Sequence, residues 1–261
     1  MAKTIKLAVF DIDGTVFRSS LIIEVFNGLV AAGVFPKSAS VRVERSFLRW
    51  LDRKGHYNDY LMKLVNEFYR NLKGKRAAAV EPVIEQVVQW QKDRVYRFTR
   101  DLIRALKRQG YFLLAISNSP DTMVGPFARS AGFSATIGRT YEVRNGRYTG
   151  RVSVQGKPLA VHAWMDKVAL LKGYLAEQGL RADLAHSIAV GDSEGDLPLL
   201  TAVGNPIAFN PSSTLIQVAR KKRWQVVVER KDVMYVIQEA GIITASERQH
   251  VAIRHHSTKR R

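Results

Sequence analysis

A largely apolar run over residues 5–10 ends on two aspartates, Asp11 and Asp13, with Gly14 directly after them. Such a run reads as a strand buried on both faces, and its carboxyl end is where open parallel sheets bind their ligands. Two like charges at one strand tip repel each other. A divalent cation held by carboxylate oxygens supplies the missing counter-charge, and Gly14 lets the backbone bend so that its amide faces a bound phosphate. The rest of the chain should then carry parallel neighbours for this strand and further ligands for the cation.

Two later apolar runs end in a similar way. Residues 111–116 stop at Ser117-Asn118-Ser119-Pro120, a hydroxyl at a strand tip followed by a helix start. That turn places side-chain and amide donors where a phosphate could sit, although Ser-rich turns before helices also serve as simple caps. Residues 187–190 stop at Gly191-Asp192-Ser193-Glu194-Gly195-Asp196, with Asp196 four residues after Asp192. One helical turn returns Asp196 toward Asp192, so four aspartates converge on two strand tips. Residues 134–137, 206–209 and 224–228 read as further strands, and Asn145-Gly146 between alternating residues signals a tight hairpin over 141–150. A helix is expected over 161–178, stopped by Gly179 and carrying Lys167 near its middle, where a lysine is ordinarily solvated. Strands alternating with helices give an α/β fold with a doubly wound parallel sheet.

Between the first two strands the period changes to helical. Caps and glycines divide the stretch into about four segments: from Ser19 or Ser20 to Gly33, from Ser38 or Ser40 to Gly55, from Asn58 or Asp59 to Gly74, and a long one over 78–108 broken near Pro82. Apolar residues at three and four spacings, such as Leu61, Leu64, Val65 and Phe68, would bury a small core of their own. The expected organisation is therefore a core formed by residues 1–17 and 106–240, with a helical cap over 18–105 acting as a lid that excludes water.

The 261 residues are 46% hydrophobic, ample for a buried core, and include no cysteine, which excludes disulfides and thiolate metal sites and suits a reducing cytoplasm. The first apolar run is too short for a signal peptide and no stretch approaches membrane-spanning length, so a soluble cytoplasmic protein is expected. A net charge of +18 invites a polyanionic partner. Residues 248–261 carry five Lys or Arg and no acid, and the tail over 241–261 is expected to be disordered. Contact with nucleic acid or an anionic surface through this tail competes with a plain solvated tail, and no aromatic residues are interleaved for stacking on single strands.

Taken together, Asp11-Ile12-Asp13-Gly14-Thr15, Ser117, Lys167 and the 191–196 stretch resemble, in this order, the four motifs of the haloacid dehalogenase superfamily of aspartate-nucleophile phosphohydrolases. Residues 191–211, with Asp196-Leu197-Pro198 and Phe209-Asn210-Pro211, look like the subfamily that contains phosphoserine phosphatase. The resemblance covers about residues 5–230. It implies that Asp11 is the nucleophile and Asp13 the general acid and base. It also implies that Mg2+ is held by Asp11, the Asp13 carbonyl, Asp192 and, largely through water, Asp196. Ser117, Lys167, Thr15 and the amides near Gly14 and Asn118 would hold the phosphoryl oxygens. Dehalogenases of the superfamily lack the carboxylate at Asp13 and its ion pumps carry threonine there, so phosphate ester hydrolysis fits best.

The implied substrate is a small phosphorylated metabolite. Phosphoserine phosphatases usually carry a glutamate nine residues after the nucleophile, whereas this chain has Ser20 there and Glu24 four residues later. Basic residues of the insert, Arg42, Arg45, Arg49 and Arg53, either meet extra negative charge on a substrate or form a solvated face. Two alternatives stay open: a phosphotransferase of the same mechanism, and a nucleic-acid or anionic-surface binding protein with little catalysis.

Overall fold

The structure, a computed structural model, describes residues 3–161, 163–238 and 241–245. Strands β1 (Lys3–Ile5) and β2 (Leu7–Phe10) lead into helices α1 (Leu21–Ala31), α2 (Lys37–Leu51), α3 (Tyr57–Leu72), α4 (Ala77–Gln91) and α5 (Arg97–Arg108). Next come β3 (Phe112–Pro120), α6 (Asp121–Ala131), β4 (Ala135–Arg144), β5 (Arg147–Val154), the short β6 (Lys157–Pro158), α7 (Lys167–Glu177) and β7 (Leu180–Ala182). The chain continues through β8 (Ile188–Gly191), α8 (Leu197–Ala202), β9 (Asn205–Phe209), α9 (Ser213–Lys221), β10 (Gln225–Arg230), β11 (Val233–Gln238) and β12 (Gly241–Ala245).

The main sheet runs β12-β11-β10-β9-β8-β2-β3-β4-β5-β6. From β10 to β4 the neighbours are parallel, and antiparallel hairpins extend both edges. Strand β2 lies at the centre, with Phe10 opposite Val190 of β8 on one side and Ala115 of β3 on the other. All four of its residues are buried, which is why it reads as an unbroken apolar run. The strand expected over 5–10 is broken at Lys6, and β1 pairs instead with β7 in a separate two-stranded sheet.

Alternation along the strands divides the core between the two faces of the sheet. Ala8, Phe10, Ala115 and Val190 join one cluster with the helices of the insert, α5 and α6, while Leu7, Val9, Leu114 and Ala189 join the other with α7, α8 and α9. Helices thus cover both faces, as an α/β doubly wound parallel sheet requires. The chain leaves β2 for β3 and β4 on one side and returns to β8 on the other, so the strand order reverses beside β2. In sheets of this kind the ligand crevice opens at that reversal, beyond the strands' carboxyl ends.

The insert departs from the expected pattern at its end. The segment expected over 78–108 is two helices, and the break falls at residues 92–96, not near Pro82. Pro82 stands inside α4 on an exposed position, where water can satisfy the Ala78 carbonyl that loses its donor. The break itself is imposed from far along the chain: Val95 forms an antiparallel bridge with Phe17, and Tyr96 N donates to Val16 O at 3.0 Å. After it, Phe98 stacks on Phe209 at 5.5 Å and 8°, and Leu102 and Leu106 are buried. Helix α5 therefore packs against the sheet, and α1, α2 and α3 are the cap helices that line the crevice.

Three further features complete the layout. Asn145 and Gly146 have φ of 51° and 69°, as a two-residue hairpin turn between β4 and β5 demands. Helix α7 begins at Lys167 rather than near residue 161, because the Asp166 side chain accepts from Val168 N and Ala169 N and caps it there. At the carboxyl end, residues 241–245 depart from the expected disordered tail and form β12, antiparallel to β11. Their β-branched Ile-Ile-Thr core suits a strand, and the charges that set the expectation lie beyond it. The basic block over 248–261 lies outside the described residues. Among the described residues no helix is long and apolar enough to cross a membrane.

Candidate active site

The loop after β2 shapes the floor of the crevice. Asp11 N donates to Val190 O at 2.9 Å, extending the ladder to β8 by one residue and fixing Asp11 at the carboxyl end of the central strand. Gly14 follows with φ of 83°, a conformation that side chains rarely adopt, and a Cβ there would collide with the carboxylate of Asp192. Its amide is engaged inside the loop, donating to Phe17 O at 3.0 Å and Ser19 O at 3.1 Å. Gly14 therefore serves the close approach of two acidic loops; its amide does not face the crevice as expected. Thr15 is fully buried, its carbonyl accepts from Thr99 Oγ1 at 3.0 Å, and its hydroxyl lies away from the crevice without a partner.

Two further carboxylates meet beside that of Asp11. Oxygens of Asp11, Asp192 and Asp196 lie within 4.8 Å of one another. Lys167 reaches them from the first position of α7, donating from Nζ to Asp11 Oδ1 at 2.5 Å and Asp196 Oδ1 at 2.6 Å. The other Asp196 oxygen accepts from the amides of Asp192 and Ser193 and from Ser193 Oγ, each at 3.1 Å, so Asp196 locks the turn that presents Asp192. The expected lysine is thus buried at 2% exposure, not solvated in mid-helix.

One ammonium does not neutralise this cluster. Burial raises the Asp11 carboxyl to about 7, with Lys167 pulling it down and Asp196 and Asp13 pushing it up. Burial and the neighbouring Asp11 and Asp196 charges hold Asp192 well above the ordinary carboxylate value. Burial alone would lower the Lys167 ammonium, but Asp11 and Asp196 outweigh it and its pKa stands above that of ordinary lysine. The excess negative charge and the converging oxygens fit a hard divalent cation.

Asp13 points to the other side of the loop. Its Oδ1 accepts from Leu21 N at 2.6 Å, at the start of α1, and its Oδ2 from Ser117 Oγ at 2.8 Å and Ser119 Oγ at 2.7 Å. Ser117 is fully buried and also accepts from Ser119 N at 3.0 Å. Asn118 lines the crevice, and its Oδ1 accepts from Arg139 Nη2 at 3.0 Å and Met165 N at 3.3 Å. Arg139 is 7% exposed and donates further to Val161 O and Ala163 O, both at 2.6 Å. It thereby holds the irregular segment that leads into Asp166 and Lys167.

Above these residues lies a cavity of about 1190 Å³, with Asp11, Asp13, Asp192 and Lys167 at one end. Cap residues from the end of α2 and the start of α3 form its far wall. Tyr57 belongs to that wall, and burial followed by the Asp13 and Asp192 charges raises its phenol well above the usual value. Sequence reasoning missed Ser119, Arg139 and Tyr57 as site residues. For Ser119 a signal existed, since it stands two residues after Ser117 on the same face of β3.

The model of the haloacid dehalogenase-like hydrolase family matches residues 8–201. A probable phosphatase of Mycobacterium tuberculosis is 27% identical over 225 residues, 84% of this chain and 74% of the relative. A phosphoserine phosphatase of the same organism is 23% identical over 230 residues, covering 84% and 69%. A Bordetella pertussis protein of unknown function superposes with a TM-score of 0.67 at 24% identity, covering 87% of this chain and 98% of its own. A phospho-aspartyl intermediate analogue of phosphoserine phosphatase gives 0.56 at 24% identity, covering 88% and 96%, and both structures share the fold. The chain belongs to the haloacid dehalogenase-like hydrolase family.

Proposed function

We propose that the chain is a magnesium-dependent phosphatase that hydrolyses an organic phosphate monoester through an aspartyl-phosphate intermediate on Asp11. The observation that carries this reading is the meeting of Asp11, Lys167, Asp192 and Asp196 at the reversal of strand order, with Asp13 beside them but held apart by Ser117 and Ser119. Two carboxylates in different surroundings suit two roles.

In the first half-reaction an Asp11 oxygen forms a bond to phosphorus while the ester oxygen leaves, and Asp13 gives that oxygen its proton. In the second, Asp13 takes a proton from water as the water oxygen attacks phosphorus, releasing inorganic phosphate and restoring Asp11. Lys167 turns Asp11 Oδ1 inward and compensates negative charge as the phosphoryl group approaches. Asn118, whose amide nitrogen is the donor at the tip of β3, serves the phosphoryl oxygens, whereas the Ser117 hydroxyl is buried and donates to Asp13. Asp11, Asp192 and the Asp13 carbonyl would hold Mg2+, with Asp196 behind them; when bound, the ion offsets the repulsion between anionic Asp11 and an anionic phosphate.

Phosphate release from a panel of monoesters, with and without Mg2+, tests the reading. Wild type should release phosphate only with the metal, and Asp11→Asn and Asp13→Asn should lose at least ~1,000-fold, on the order expected when a covalent or acid–base group is removed. Equal release by wild type and Asp11→Asn would refute it. Added alcohols that divert the phosphoryl group into new esters would identify a phosphotransferase instead.

A further inference from the structure

We propose that the alcohol half of the substrate is a bulky, ring-bearing apolar group seated on an aromatic wall of the cap, and not an amino acid of the size and charge of serine. The proposal rests on the phosphatase reading above and names the substrate class of that same site.

The cavity that starts at Asp11 has a volume of about 1190 Å³, somewhat above the usual range of small-ligand pockets and far beyond a phosphoryl group with a three-carbon tail. Its cap side is a block of four rings. Trp50 stacks on Tyr60 at 5.9 Å and 8°, Tyr57 meets both edge-on at 5.3 and 6.0 Å, and Phe47 lies 5.3 Å from Tyr60 and 5.8 Å from Trp50. Ile22, Ile23 and Val65 add aliphatic surface to the same lining. Trp50 is only half-buried and Tyr57 keeps 38% of its surface, although both are large and largely apolar. Apolar surface held open toward a cavity is surface that an apolar ligand removes from water. Aromatic faces and edges add ring-stacking on top of area burial, which favours a planar group over a flexible chain.

The groups that would anchor an amino acid are engaged elsewhere. Glu24, the acid nearest the position held by Ser20, accepts from Ser19 Oγ at 2.9 Å, Arg94 Nη1 at 3.0 Å and Gln91 Nε2 at 3.1 Å, and lies outside the cavity lining. Asp59 closes a capping box with His56, and Glu194 accepts from Ser212 Oγ at 3.0 Å. No lysine or arginine of α1–α4 lines the cavity among the described residues; Arg42 pairs with Glu67 at 2.7 Å and Arg49 donates to Lys54 O. Lys167 and Arg139 are held by the contacts described above, which leaves Arg18, lying 5.5 Å over the Tyr96 ring, as the cation for a substrate anion.

The test uses primary alkyl phosphates with the full chain and Mg2+: ethyl, n-octyl, 2-phenylethyl and 2-(indol-3-yl)ethyl phosphate, and phosphoserine. The expected result is a kcat/KM for the two arylalkyl esters at least ~50-fold above ethyl phosphate and phosphoserine, on the scale that several buried carbons supply. Trp50→Ala should shrink the aryl-to-ethyl ratio at least ~10-fold, and Trp50→Phe should keep most of it. Phosphoserine matching the arylalkyl esters, n-octyl phosphate exceeding them, or a ratio unmoved by Trp50→Ala in folded protein would overturn the proposal.

Failure of the phosphatase reading is seen separately, as absence of turnover on every ester. Quenching of tryptophan fluorescence by 2-phenylethylphosphonate in the Asp11→Asn protein, stronger than by ethylphosphonate, would support the aromatic wall even then. Equal response to the two phosphonates would overturn it.

Discussion

Ser119 Oγ donates to Asp13 Oδ2 at 2.7 Å, and Ser117 Oγ donates to the same oxygen at 2.8 Å. Together with Leu21 N on the other oxygen, the two hydroxyls fix the plane in which Asp13 faces the cavity. Removing one should let the carboxyl swing without emptying the site. Ser119→Ala is expected to lower kcat about 10-fold with little change in KM, the scale of one hydrogen bond to a charged group. Steady-state kinetics on a reactive aryl phosphate checks it, and an effect on KM alone would mean that Ser119 binds substrate instead.

Arg139 is buried with no carboxylate paired to it among the described residues; its donors go to Val161 O, Ala163 O and Asn118 Oδ1. Burial lowers its pKa, as expected for a desolvated cation. Arg139→Met should leave the Val161 and Ala163 carbonyls without this donor and destabilise the protein by on the order of 2–3 kcal/mol. That corresponds to a fall of roughly 5–10 °C in Tm. Activity should fall as well, because the same segment aligns Lys167. Arg139→Lys is expected to recover only part of the loss, since an ammonium cannot match the planar fork. Thermal melts of the two variants decide this.

The carboxylate cluster makes stability depend on pH and metal together. Asp11 is raised from 3.8 to about 7 in the fold, and Asp192 is raised too, so the folded state binds protons more tightly than the unfolded chain. These groups favour the fold below pH 3.8, and that contribution is lost as pH rises toward about 7. Mg2+ should reverse the loss. At a concentration about 100-fold above Kd it adds roughly 2.7 kcal/mol. The Tm shift should therefore be larger at about pH 8 than at about pH 5.5, where protons compete for the same oxygens. Asp192→Asn should raise the metal-free Tm at the higher pH and abolish the Mg2+ response. A metal response unchanged by that substitution would place the cation elsewhere.

Much of the site can be read from the sequence because its strands are short, apolar and end on acids. Asp11 and Asp192 are legible on that ground alone, since a strand buried on both faces seldom ends on a carboxylate unless that carboxylate binds something. Lys167 reads as a mid-helix residue because hydropathy continues upstream of Asp166, whereas the side chain of Asp166, one residue before the lysine, caps the helix and starts it there. Arg139 is one of 41 lysines and arginines, and only its burial among carbonyl oxygens distinguishes it. The break between α4 and α5 depends on Val95 meeting Phe17, a contact 78 positions away along the chain that local periodicity does not carry. The ring block of Trp50, Tyr57 and Tyr60 spans two helices and their connection, so its shared surface appears only once α2 and α3 pack.

The most direct measurement is acid-quench trapping of the phosphorylated enzyme. The 261-residue chain with Mg2+ is mixed with a 32P-labelled aryl phosphate, quenched within milliseconds and assayed for protein-bound label, beside Asp11→Asn. The expected result is label approaching one per chain at early times, removed by hydroxylamine as an acyl phosphate should be, and absent from Asp11→Asn. Turnover without trapped label across the pre-steady state, or label that persists in Asp11→Asn, would contradict the assignment of Asp11 as nucleophile.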